Sequence, residues 1–302
     1  MNTDEVILGI DFGGTKVALG LADRDGKLLH THRLDTDAEA GAEQVVSRAL
    51  SCADALLAEF GGRLSAVGVV SPGIVLDERI LLAPNVPGWE SLRLRELVAA
   101  RYSVPIVVGT DVKAAALAEW KWGALAGSDP AVFLSLGTGI GAALVVGGRV
   151  LGGAHGAAGE MGYNLRSPFG TEGFASGAAP LEEAVGGKGL GDRASALFGR
   201  PVSAGELFGL ARDNAQAKEL VTAALDELSM HVANLAILID AERIAVGGGM
   251  VRSGDVVLPV LRDRLAHAVP FPPELVMATF DQEGALLGAI ALALQPRDVD
   301  IS

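Results

Sequence analysis

The feature that most constrains this chain is a block of sequence that occurs twice. From residue 6, "VILGID" leads through "FGGT" into "KVALGLAD", then through the turn signal "DRDG" into "KLLHTHRL". This reads as strand, glycine turn, strand, turn, strand, an antiparallel meander. After "GALAGSDP" the layout returns in "AVFLSLGTGIGAALVVGGRVLGG". Two such blocks predict two similar α/β lobes, and 302 residues exceed one typical core.

Between and after the blocks the apolar spacing changes. Val45, Val46, Ala49, Leu50, Ala53, Leu56, Leu57 and Phe60 recur at helical intervals, which predicts a helix over 38–60. "SAVGVVSPG" returns to strand, a helix covers about 91–101, and the strand "PIVVGTD" gives way to a helix beginning near Val112. Residues 178–240 read as mostly helical. Their last part, "AKELVTAALDELSMHVANLAILID", is apolar on more than one side, as a central helix would be. "RIAVGGGM" supplies one more strand and turn, and "EGALLGAIALAL" a terminal helix. The predicted lobes are residues 1–115 with 286–302, and 116–285.

Composition narrows the function. Half the residues are hydrophobic, 5% are aromatic and 40 are glycine, which fits aliphatic sheets with tight turns. The net charge of −13 repels nucleic acid and anionic membrane surfaces. No run reaches the roughly 18 uncharged apolar residues of a membrane span, and "MNTDEVILGI" lacks the basic flank of a signal peptide. A cytoplasmic protein with no nucleic-acid or membrane partner is expected. Cys52 is the single cysteine, which excludes an intrachain disulfide and a multi-thiolate zinc site. It sits in a helical pattern and reads as a small core residue.

Three glycine clusters and four carboxylates are the candidates for chemistry. In the turns Asp11–Thr15 and Gly137–Gly141, missing Cβ atoms let backbone N–H groups converge on an anion, and threonine adds a hydroxyl. Hairpin punctuation is the alternative for either turn alone. A G-x-x-x-x-G-K-[ST] phosphate loop is absent, and "GTGIG" leads into a strand, not the helix of a dinucleotide fold. The third cluster, Gly247 to Gly249, offers either a flat surface for an adenine ring or tight strand-to-helix packing. Asp111 stands where a strand becomes a helix, as a cleft carboxylate or as a helix N-cap. Glu160 and Glu172 lie among small residues and taken singly pass for surface acids.

Taken in order, "DFGGTK", "PNVPGW", "GTD", "LGTGIG", "HGAAGEMGY", "EGFASG" and "VGGGM" make the chain resemble the ROK family of bacterial sugar kinases over nearly its whole length. The resemblance implies an α/β, two-lobed, actin-like ATPase (ribonuclease H-like) fold with a central cleft. It implies an ATP- and Mg²⁺-dependent transfer to the primary 6-hydroxyl of a glucose-like sugar, and a homodimer. By position, Asp11, Gly13, Gly14 and Thr15 match the first phosphate motif, with Lys16 beside it and Asp11 holding Mg²⁺ through water. Gly137, Thr138 and Gly139 match the second phosphate motif, and Gly248 and Gly249 the adenosine motif. Asn85, Asp111, Glu160 and Glu172 fall on sugar-contacting positions, with Asp111 as the catalytic base.

The chain also departs from the family. Tyr163 stands where many members carry a zinc-binding histidine, and "NLRSPFGTEGFASG" is short and lacks cysteine, so no zinc is expected. His155 reads as the holder of a local hydrogen bond. Thr110 and Lys113 replace two asparagines, so one side of the sugar pocket, including Thr110 and Tyr163, is rebuilt. The resemblance implies glucose, and that change shifts the expectation from plain glucose toward a modified hexose such as an aminoglucose of the kanosamine kind. A C7 cyclitol or a non-catalytic sugar sensor are the alternatives.

Overall fold

A computed structural model describes residues 5–76, 78–83, 86–168, 173–280 and 282–295. The chain forms two compact units, Met1–Lys121 with Val150–Ala158 and Gln282–Ser302, and Trp122–Arg149 with Gly159–Asp281. Their boundaries fall at 121 and 282, where the sequence reading had placed 115 and 286.

The first unit opens with the meander β1 (Glu5–Phe12), β2 (Lys16–Ala22) and β3 (Leu28–Asp35), followed by α1 (Ala42–Phe60) and β4 (Arg63–Ser71). A two-stranded ribbon, β5 (Ile74–Val75) and β6 (Ile80–Leu81), precedes α2 (Leu94–Arg101), β7 (Ile106–Thr110) and α3 (Asp111–Trp122). The sheet order is β3-β2-β1-β4-β7, antiparallel in the meander and parallel from β1 to β7. α1 buries the predicted stripe from Val45 to Leu56, and Cys52 is partly buried against the same core.

The second unit repeats this plan. β8 (Ala131–Leu136), β9 (Ile140–Val146) and β10 (Arg149–Val150) form the meander. The helices α4 (Pro180–Val185), α5 (Gly187–Phe198), α6 (Ala204–Leu210) and α7 (Ala215–Ile239) follow. Then come β11 (Arg243–Gly247), α8 (Gly254–Ala268) and β12 (Glu274–Met277). Its sheet order is β10-β9-β8-β11-β12, with β8 and β9 antiparallel and β8, β11 and β12 parallel.

α7 differs from its expected central place. Val221, Leu225, Leu228 and Val232 share one buried stripe, while Met230, Ile237 and Leu238 are exposed, the last by 82%. It is the one described helix long and apolar enough to cross a membrane by length and composition, yet its buried stripe belongs to the core of this unit.

The chain then returns to the first unit with α9 (Gly284–Ala293), buried on nearly all sides. It lies on a row of glycines, because Gly20, Gly9 and Gly68 stand side by side in register on β2, β1 and β4. A methyl at Gly68 would collide with the Ala289 carbonyl, and one at Gly9 would stand 2.8 Å from Ile290 Cγ1. Helix and sheet therefore touch backbone to backbone, a closeness that side chains would prevent. α9 meets α3 in the same way at Gly288 and Ala114, which ties the start of α3 to the sheet.

Candidate active site

In the first unit the candidate residues gather at strand ends. β1 and β7 flank β4 in parallel, through Asp11↔Val70 and Val70↔Gly109. Their carboxyl ends finish on one edge of the sheet, where open α/β sheets bind ligands. β1 brings Asp11 there, and β7 brings Thr110 and then Asp111, the first residue of α3. The two carboxylates sense each other: burial first, and then the Asp111 charge, push the Asp11 pKa up to about 7, while Arg33 opposes the rise. Asp111 Oδ1 accepts the Val112 N–H at 2.7 Å. Thr110 is buried, paired with Ser71 of β4.

The first glycine turn joins β1 to β2 beside Asp11. Gly13 N–H donates to Lys16 O at 2.9 Å. Thr36, buried after β3, holds the turn from behind, its hydroxyl donating to Gly13 O at 2.6 Å and its amide to Thr15 O at 2.9 Å. Across a planar trans peptide the carbonyl and the following N–H point in opposite directions. Each carbonyl drawn to Thr36 therefore turns the next amide, of Gly14 and of Lys16, away from it. Thr15 and Lys16 are exposed.

The second turn joins β8 to β9 and obeys the same rule with different holders. Gly187 and Lys188, the first residues of α5, donate their amides to Gly137 O and Thr138 O, each at 2.9 Å. The amides of Thr138 and Gly139 are thereby aimed away from the helix. Gly137 N–H closes onto Gly139 O at 2.9 Å, and Glu182 of α4 takes the Ile140 N–H at 2.9 Å on Oε2. The third cluster arrives alongside, since a Cβ on Gly137 would stand 4.0 Å from Gly249 N. Packing explains Gly248, whose φ is +91° and whose Cβ would meet the Leu136 backbone. Around Gly249 there is open space instead, so packing gives no reason for its missing side chain.

Glu160 follows Gly159, whose carbonyl accepts from Ala142 at 2.9 Å and from Met161 at 2.7 Å. This fixes the short 3-10 turn Met161–Tyr163 against β9. The Tyr163 ring meets Phe174 edge-on, centroids 5.7 Å apart. Asn85 and Glu172 lie outside the described residues. His155 is exposed and, contrary to expectation, forms no hydrogen bond with the described residues. Lys113 on α3 donates to Gly156 O, which fastens residues 150–158 to the first unit. Among the described residues no three of His, Cys, Asp and Glu form a metal-holding group.

Sequence reasoning missed Thr36, Glu182 and the start of α5, which hold the turns in shape. Common residue types at long separations carried no signal for them.

Comparison with known proteins identifies the family and the fold. The ROK family model matches residues 7–296. A glucokinase of Streptomyces coelicolor is 31% identical over 323 residues, covering 96% of this chain and 98% of its own. A ROK hexokinase from Thermus thermophilus superposes with a TM-score of 0.82 at 32% identity, over 95% of this chain and 97% of that one. A ROK family glucokinase from Streptomyces griseus, solved with glucose and AMPPNP, gives 0.76 at 30% identity, over 96% and 100%. The architecture is the actin-like ATPase fold. By the match along its length and by these relatives, the chain belongs to the ROK family.

Proposed function

We propose that this sugar phosphotransferase moves the γ-phosphate of ATP to the primary 6-hydroxyl of glucose or a modified glucose, with Asp111 as the base. The observation that carries the reading is the pair Asp11 and Asp111 at one sheet edge, where burial first and the Asp111 charge second lift the Asp11 pKa to about 7.

A primary alcohol is a weak nucleophile until a carboxylate accepts its proton as the bond to phosphorus forms. Asp111 does this, held by Val112 and by the join of β7 to α3. In the first unit the amide of Gly14 and the hydroxyl of Thr15, and in the second unit the amides of Thr138 and Gly139 and the hydroxyl of Thr138, are the groups each turn offers to phosphate oxygens. Open space at Gly249 takes the adenosine, and Lys16 stays solvated at the rim of its turn. Glu160 and Tyr163, with Asn85, Thr110 and Glu172 from the sequence reading, set acceptor recognition.

The site fits Mg²⁺, because a partly buried carboxylate that resists ionisation beside a second one is relieved by a divalent cation. When bound, that ion neutralises the triphosphate. Asp11 would hold it, and the reading includes no zinc.

Tyr163 at the family's histidine position favours a second acceptor class, an aminoglucose of the kanosamine kind or a C7 cyclitol. The exposed Met230, Ile237 and Leu238 of α7 support a homodimer, to be checked by sedimentation. The setting we propose is the cytoplasm. The deciding assay is ADP release from Mg-ATP with glucose, mannose, N-acetylmannosamine, aminoglucoses and cyclitols. Turnover with at least one is expected, and silence across the panel would favour a sugar sensor.

A further inference from the structure

Glu182 is an acid in an unexpected place. A carboxylate behind a turn that receives phosphate adds repulsion, so its presence calls for an offsetting role. α4 is only six residues long, and its Leu181, Ala184 and Val185 are buried in the core of the second unit. Glu182 itself is partly buried and reaches the turn, where Oε2 accepts the Ile140 N–H at 2.9 Å. Its backbone carbonyl accepts from Gly186 at 2.7 Å, which sets the start of α5, the helix that holds Gly137 O and Thr138 O.

The other flank of the same side chain touches the acceptor segment. A Cβ on Gly162 would stand 3.2 Å from Glu182 Cβ, 3.5 Å from Oε2 and 3.3 Å from Ile140 O. Gly162 lies between Glu160 and Tyr163 in the 3-10 turn. One side chain is thus wedged between the turn that grips phosphate and the turn that recognises the acceptor.

We propose that Glu182 is a positioning residue that couples these two turns, so that acceptor binding tightens the grip on nucleotide. The inference rests on the reading of Gly137–Gly139 as a phosphate grip. The hydrogen bond, not the charge, does the coupling, because the carboxylate's charge by itself opposes the phosphate.

The test is calorimetric titration of Mg-AMPPNP into the full chain, with and without the best acceptor of the panel, beside steady-state kinetics. Wild type should bind AMPPNP more tightly with acceptor present. Glu182→Ala should abolish that difference and raise KM for ATP about tenfold with a smaller change in kcat. Glu182→Gln keeps an acceptor for Ile140 N–H and should retain the difference. Should Glu182→Ala not fold, Gly162→Ala presses on Glu182 from the acceptor side and should raise KM for ATP although Gly162 lies outside the nucleotide turns. Wild-type behaviour of Glu182→Ala, or of Gly162→Ala in its stead, overturns the coupling, as does wild-type binding that ignores the acceptor. A wild type that turns over sugar but loses no ATP affinity on Gly139→Asp overturns instead the underlying assignment of the turn.

Discussion

The two glycine turns occupy the same place in two sheets of the same order, yet they are held by different means. The first leans on one buried threonine that gives hydroxyl and amide to two carbonyls. The second leans on the start of a helix and on a glutamate. Both arrangements draw carbonyls backward and so drive amides forward, so the outward-facing amides belong to peptide geometry and not to any particular residue. The acids differ as well. Asp11 and Asp111 stand at strand ends beside the first turn, where we propose that they serve the chemistry, whereas Glu182 stands behind the second and holds its shape.

The largest effect should come from breaking that division of labour. Asp111→Asn should lower kcat by about 10²–10⁴ while leaving acceptor binding measurable by calorimetry. Full activity in this variant would remove the base from the first unit.

A sharper contrast comes from adding one methyl to each turn. At Gly13 the new Cβ would lie 2.7 Å from the Lys16 carbonyl, which is backbone and cannot swing aside, whereas at Gly139 it meets the carboxylate end of Glu182, which can. Gly13→Ala should therefore cost about 1–3 kcal/mol in urea unfolding. Gly139→Ala should cost under about 1 kcal/mol and show its effect in KM for ATP. Equal stability losses would mean that the two turns are built alike.

The pH dependence of the metal-free protein tests the acid pair. Asp11 holds its proton to about pH 7 when folded, against 3.8 for an ordinary aspartate. Between those values the folded chain binds more protons than the unfolded one, so stability falls as pH rises through that window and stays lower above it. Asp11→Asn should flatten this decline and, in EDTA at pH 8, gain about 1–3 kcal/mol over wild type. An unchanged slope would refute the raised pKa of Asp11. A modest effect belongs to Thr36→Val, which removes the hydroxyl bond to Gly13 O and keeps the amide bond to Thr15 O. A loss of about 1 kcal/mol and a few-fold rise in KM for ATP are expected.

Much of this was readable in the sequence because it rests on short-range pattern. The paired meanders, the α1 stripe and the glycine turns each lie within a few dozen residues and follow from periodicity and turn chemistry. What holds the turns was not readable: Thr36 and Glu182 act across 23 and 42 residues, and nothing in "LDTDAEA" or "APLEEAV" marks them. The unit boundary also escaped notice, because the apolar pattern of α3 runs unbroken past residue 115 to Trp122. α7 misled by composition, since alanine and leucine all round look central even where one side faces solvent.

The glycine row beneath α9 bears on how such a chain matures on the ribosome. Strands made among the first hundred or so residues present a bare, channel-like face whose filler is encoded after the entire second unit. The later half can consolidate while the earlier half still waits, so completion runs against the direction of translation, and the interval before residues 284–293 emerge is when a nascent chain most needs shielding from its neighbours.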